Sequence, residues 1–413
     1  VSSRRMQDLA IEDHTLTVPL DWENPDDGRT IDVHAAVVTR EGGEKLPYIT
    51  FLQGGPGHEA PTPLHSPSSP SWLDTALERY RVVLLDQRGT GRSTPIGDAD
   101  LERGTDELVE RLTHLRADSI VRDAEALREH LGAKTWSTLG QSFGGFTTLS
   151  YLSTHADSLD TVFFTGGLSA VGHTPDEAYA LSYDKLRAAS KAYYRRFPEQ
   201  RDAVRRLVDL AAAGDIVLPS GEVVSVSRIR SLGSLLGSDD GWQSLWALLA
   251  KDPATNAFRY DLADALPFGG RNPLYYVIHE SCYADGHATN WAAERVEPDD
   301  FKQDPTLLTG EHVRREWAET VPAFQPWADV VDRIAAVEWP RLYDEAALEA
   351  SGAKGAAAVY YNDLYVPVEY SMETAALLPD VKTYVTSIHE HSGLRSGDVL
   401  PHLFDLAAGR AVR

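Results

Sequence analysis

Ser142 lies in the run Gly140-Gln141-Ser142-Phe143-Gly144, with Gly145 adding a further small residue. This is a G-x-S-x-G pattern, and its chemistry is nucleophilic. A sharp strand-to-helix turn lifts a serine hydroxyl clear of the backbone, and small neighbours let strand and helix close on it. The helix that follows aims its amide dipoles at the reaction centre. An idle serine in a glycine-lined turn would show the same five residues, so the pattern needs partners. A serine nucleophile needs a base, and the base needs an acid to orient it. Asp363 follows the apolar run "AAAVYY", and His391 follows "KTYVTSI". Both fall at the C-terminal ends of expected strands, where sheet enzymes carry catalytic groups. His389 competes with His391 for the role of base, and Glu369 and Asp380 compete with Asp363 for the acid.

Two glycine-bearing loops extend the constellation. "FLQGGPGHEAP" (51–61) follows another apolar run. Its use would be an exposed backbone N–H aimed at a developing oxyanion, from Gly55, with the Phe143 N–H as the second donor. A tight turn needing positive φ is the plainer reading of that loop taken alone. "LLDQRGTGRS" (84–93) matches neither a dinucleotide nor a phosphate-binding loop. Asp86 and Arg88 there are read as polar partners that fix the loop.

Strands alternating with helices must position these groups. "HTLTVPLDW" (14–22) and "TIDVHAAVV" (30–38) alternate like half-exposed antiparallel strands. "LPYITFLQ" (46–53), "YRVVLLDQ" (80–87), "TWSTLGQ" (135–141) and "LDTVFFTGG" (159–167) are continuous apolar runs, as in parallel strands buried on both faces. A helix is expected over 120–131. From about 172 to 345 the chain reads as helical, including two helices over 179–214 broken near Pro198. The β pattern returns at 355–367 and 381–391, and an amphipathic helix is expected over 399–412. The expected class is α/β, a mostly parallel sheet whose core (1–170 and 351–413) is split by a helical cap insertion (171–350).

The net charge of −23 repels phosphate backbones and anionic membranes, which disfavours nucleic acid and membrane partners. The single cysteine, Cys282, rules out an intrachain disulfide. The N-terminal "VSSRRMQDLAIEDH" has no apolar segment of signal type, so a cytoplasmic location is expected. "HEHSG" and "HESCYADGH" have the wrong spacing for a metal site, and neither metal nor cofactor is expected.

The combination of "QGGPG", "DQRGTGRS" and "GQSFGGF" with a late "YYNDLYVP" and "HEHSGLR" resembles the prolyl aminopeptidases (proline iminopeptidases), in their longer branch. The resemblance covers roughly residues 15–170 and 350–413. It implies an α/β-hydrolase fold with a helical cap and release of N-terminal proline from peptides. On that match Ser142 is the nucleophile, Asp363 the orienting acid and His391 the base, with Gly55 and Phe143 supplying the oxyanion-hole amides. Gln53 stands where many relatives have histidine, a departure that leaves the triad intact. Family members bind the substrate's free amine with cap glutamates. "YVIHESCYADG" resembles one such segment and makes Glu280 a candidate, and Glu311 in "LTGEHV" is a second. Two rivals stand beside this reading: an esterase or other aminopeptidase with the same triad, and a hydrolase-fold binding protein without turnover.

Overall fold

The computed structural model describes residues 2–64, 72–396 and 399–411. Nine strands form one sheet: β1 (Ser2–Met6), β2 (Leu9–Pro19), β3 (Thr30–Arg40), β4 (Tyr48–Leu52), β5 (Arg81–Leu85), β6 (Trp136–Gln141), β7 (Leu159–Thr165), β8 (Gly355–Tyr360) and β9 (Val381–Thr386). Their spatial order is β1-β2-β3-β5-β4-β6-β7-β8-β9. β1, β2, β3 and β5 pair antiparallel in succession, and every pairing from β5 through β4 to β9 is parallel.

Alternation along the strands divides the core between the two faces. Val82 and Leu84 of β5 pack with Trp72, Leu403 and Phe404 on one side. Val83 and Leu85 pack with Ile120, Phe146 and Leu149 on the other. β6 and β8 are buried along their whole length, which is why they read as unbroken apolar runs. The helix Trp72–Leu77 joins β4 to β5 on one face, and the helix Ala117–His130 joins β5 to β6 on the opposite face. The chain therefore reverses its winding at β4. The crevice beyond the carboxyl ends of β4, β5 and β6 is where such sheets hold ligands.

Between β7 and β8 the described chain forms helices joined by loops, and its one β pairing is an isolated bridge, Val217 to Val223. The first helix, Pro175–Arg196, opens on a capping box in which Thr174 and Glu177 satisfy each other's backbone amides. It stops at Phe197 because the residue before Pro198 is pushed out of helical geometry. The next helix follows at Gln200–Ala213. The C-terminal helix forms over Val399–Ala407, while Val412, the last residue of its expected span, lies outside the described residues.

Candidate active site

β6 ends at Gln141 and a helix begins at Phe143, which leaves Ser142 alone in the turn with φ 54° and ψ −123°. A left-handed φ at a residue with a side chain costs about 1–3 kcal/mol and persists only where the surroundings hold it. Here Ser142 N–H donates to the Thr165 carbonyl at 3.0 Å and its carbonyl accepts from Gly145 N–H at 2.7 Å. The glycines permit the close approach. A Cβ on Gly144 would drive into the Leu52 carbonyl, and one on Gly145 into the Gly167 carbonyl.

His391 Nδ1 bonds to Asp363 Oδ2 at 2.6 Å. Asp363 is fully buried, and its Oδ1 accepts the amides of Tyr365 and Val366, both at 2.9 Å. Both carboxylate oxygens are therefore committed. Burial works to lower the His391 pKa, but the charge and hydrogen bond of Asp363, then the charge of Glu311, raise it above the ordinary imidazole value. The rival residues are placed otherwise. His389 Nδ1 bonds to Asp239 Oδ2, and Glu369 accepts from Lys185 Nζ, each at 2.7 Å. Asp380 is exposed at the turn before β9.

Ser142 and His391 line one cleft of about 260 Å³, with Gln53, Gly54, Gly55, Tyr275, Glu311 and Tyr365 among its walls. Gly54 lies against Ser142: a Cβ there would sit 3.2 Å from Ser142 Cβ. Phe143 is the first helical residue, so its amide has no carbonyl to meet within the helix. The Gly55 loop is tied from three sides. Gln87 Nε2 donates to the Gln53 carbonyl at 2.6 Å, Asp86 Oδ1 accepts the Ala60 amide at 3.0 Å, and Asn272 Nδ2 donates to the Gly57 carbonyl at 2.7 Å. Arg88 meets both oxygens of Asp123 at 2.7 and 2.6 Å in a fully buried pair. Asp86 and Arg88 thus hold loops rather than face the cleft.

The two cap glutamates part company. Glu311 lines the cleft with its side chain 27% exposed, and its Oε1 accepts from Tyr275 Oη at 2.5 Å. Burial raises its pKa, against the pull of the Tyr275 hydroxyl and the charge of His391. His279 lies 3.9 Å away, but burial drives its pKa down to about 3, so it supplies no positive charge. Glu280 does not line this cleft. Its carboxylate accepts the amides of Ala292 and Ala293 at 3.2 and 2.9 Å, and burial pushes its pKa up to about 7. Cys282 is buried among apolar core residues. Tyr275 and Tyr365 were not singled out from the sequence. Nothing in a lone tyrosine's spacing marks it, although Tyr275 immediately precedes the "YVIHESCYADG" segment. Among the described residues no group of three or more His, Cys, Asp or Glu is arranged to hold a metal ion.

A largely parallel sheet wound in both directions, with a serine elbow at the end of β6, defines an α/β hydrolase, and residues 47–210 match the family described as alpha/beta hydrolase fold. The chain is 37% identical over 402 residues to the proline iminopeptidase of Aeromonas sobria, covering 93% of each protein. It belongs to the proline iminopeptidase family. A proline iminopeptidase of Aspergillus aculeatus is 29% identical over 424 residues, covering 95% of this chain and 92% of that one. Among solved structures, a proline iminopeptidase of Mycobacterium smegmatis aligns over 96% of this chain and 97% of its own, with TM-score 0.45 and 15% identity. No helix among the described residues is long and apolar enough to cross a membrane.

Proposed function

We propose that this protein is a serine aminopeptidase that releases N-terminal proline from peptides. One arrangement carries the reading: Ser142, His391 backed by the buried Asp363, and a half-buried Glu311 meet at a single cleft, which Ser142, His391 and Glu311 line. Ser142 Oγ attacks the prolyl carbonyl while His391 Nε2 takes its proton, and Asp363 holds the ring and stabilises the imidazolium. The amides of Gly55 and Phe143 receive the oxyanion. His391 then protonates the departing amine, breaking the peptide bond and leaving a prolyl ester on Ser142. A water that gives its proton to His391 hydrolyses that ester and frees proline.

Glu311 takes the substrate's ammonium group. Its raised pKa reports a carboxylate that gains by meeting a positive charge. That contact restricts cleavage to chain ends. Glu280, whose carboxylate is engaged by two backbone amides, supports the fold around Ala292 in this reading. The net charge of −23 argues against a nucleic acid partner, and the single buried thiol suits a cytoplasmic setting.

The test is a pair of chromogenic amides, proline p-nitroanilide and its N-acetyl derivative, run beside Ser142→Ala. The free amine should be the better substrate by about 100-fold or more, and the alanine variant should lose at least about 10⁴-fold in kcat. Near-normal turnover by a folded Ser142→Ala protein, or indifference to acetylation, counts against the reading.

A further inference from the structure

β9 ends at Thr386, and His391 is carried by the loop beyond it. Asp363 bonds the His391 ring at Nδ1 and so sets its rotation. Where the opposite edge of the ring sits relative to Ser142 depends on the loop backbone. The helical insert holds that backbone. Every residue from 389 to 392 meets the insert segment 237–239. His391 N–H donates to the Gly237 carbonyl at 2.9 Å. Glu390 N–H donates to Asp239 Oδ1 at 2.8 Å, and His389 Nδ1 meets Asp239 Oδ2 at 2.7 Å. The Asp239 amide in turn donates to Ser392 Oγ at 3.0 Å.

The same stretch of the insert reaches the acid's loop. Tyr365 Oη donates to the Ser234 carbonyl, and the Tyr365 ring stands 5.0 Å from the His391 ring, centroid to centroid. Gly237 has no side chain because the Tyr365 ring occupies that space. Gly237 and Ser238 also line the cleft. The insert segment therefore touches the loops of both Asp363 and His391.

We propose that Asp239 is a positioning residue for catalysis. Its carboxylate, clamped between the Glu390 amide and the His389 ring, fixes the loop that presents His391 to Ser142. This rests on the reading of Ser142 and His391 as the working pair. It adds that the insert, besides shaping the substrate cleft, completes the geometry of the base. Burial acts to raise the Asp239 pKa, but His389, the Glu390 amide and the Ser392 hydroxyl bring it below the ordinary carboxylate value, so the clamp is charged at neutral pH.

The experiment compares Asp239→Ala and Asp239→Asn with the native protein in three readouts. These are kcat and KM on proline p-nitroanilide, the rate at which a fluorophosphonate labels Ser142, and the thermal midpoint. Misplacing a base should act on kcat, so the alanine variant is expected to lose about 30-fold in kcat with KM within about threefold. Labelling should slow in parallel. The asparagine variant keeps an oxygen for the Glu390 amide but loses the charge that meets the His389 ring, and should fall about threefold to fivefold below native kcat, between the alanine variant and the native protein. The fluorophosphonate needs no proline, so an enzyme inactive on prolyl amides would sink the substrate reading while leaving this test intact. A folded Asp239→Ala protein with native kcat and labelling rate overturns the proposal. So does a change confined to KM, which would make the segment a wall of the cleft and nothing more. If the alanine variant does not fold, Asp239→Asn decides alone: a several-fold drop in kcat and labelling supports the proposal, and native values overturn it.

Discussion

At Glu311 a half-buried carboxylate faces the cleft of Ser142 and His391, with a tyrosine hydroxyl on one oxygen and no arginine or lysine paired with it among the described residues. An ammonium group entering the cleft would supply the missing charge. Glu311→Gln keeps the shape and removes the charge. It should lower kcat/KM on proline p-nitroanilide by about 100-fold while changing hydrolysis of a small neutral ester by less than about threefold. The pH dependence gives a second reading of the same residue. In the proposed mechanism His391 must be neutral to accept the serine proton, and its pKa is raised, so the acid limb of kcat/KM should lie above the ordinary imidazole range. Part of that elevation comes from the negative charge of Glu311, which favours the imidazolium. In Glu311→Gln the limb measured on the neutral ester should therefore move to lower pH. An unmoved limb would mean that the two groups do not sense each other.

Elements bring these residues together, and elements were legible in the sequence where burial imposed a pattern. β4, β5, β6 and β7 are largely apolar on both faces, so their runs stand out, and Ser142 could be placed because it follows β6; Asp363 and His391 were placed by the strands read before them, the buried β8 and the more mixed β9. β1 was not anticipated. "SSRRM" is exposed throughout and carries no alternation; only its pairing with β2 makes it a strand, and its arginines suit an open edge. The helix Thr105–Thr113 was also missed, although its apolar face is buried against the insert. Tyr275 and Asp239 reach the cleft and the loop of His391 only through packing between segments distant in the chain, and no local spacing records that; Tyr365 follows Asp363 by two residues, but its ring meets His391 only in the folded chain. The loop 86–93 shows what an element costs when its anchor is cut. Arg88 meets Asp123 and the carbonyls of Pro19, Leu20 and His114 out of contact with water. Asp123→Ala would leave a buried guanidinium without its counter-charge and should cost about 3–5 kcal/mol in urea unfolding. A loss under about 1 kcal/mol would mean that water reaches the site or that the loop rearranges.

Over the whole molecule, sheet and insert share their interiors. Ile96, Leu108 and Leu112 from the first part of the chain pack in one cluster with Trp317, Phe324 and Trp327 of the insert. Tyr283, Leu342 and Tyr343 of the insert pack in turn with the sheet's own cluster. Polar ties cross the same boundary: Arg116 donates to the carbonyls of Ala284 and Pro340 at 2.8 and 2.7 Å, and its guanidinium stands over the Trp339 ring. An insert that merely rested on the sheet could melt away from it. One that shares an apolar cluster with the sheet and a second with the helix Thr105–Thr113 should expose both when it leaves, so the two parts are expected to unfold together. Tryptophan fluorescence of a variant in which Trp22, Trp72 and Trp136 are replaced by phenylalanine can test this, because the remaining six of the nine tryptophans lie in the insert, while far-UV circular dichroism follows sheet and insert together. The two signals should give coincident urea transitions with one midpoint, as a two-state unit does. A fluorescence transition that precedes the loss of secondary structure would show an insert that opens by itself. In that case turnover of proline p-nitroanilide should be lost with the fluorescence, since the insert holds both Glu311 and the segment bonded to the loop of His391.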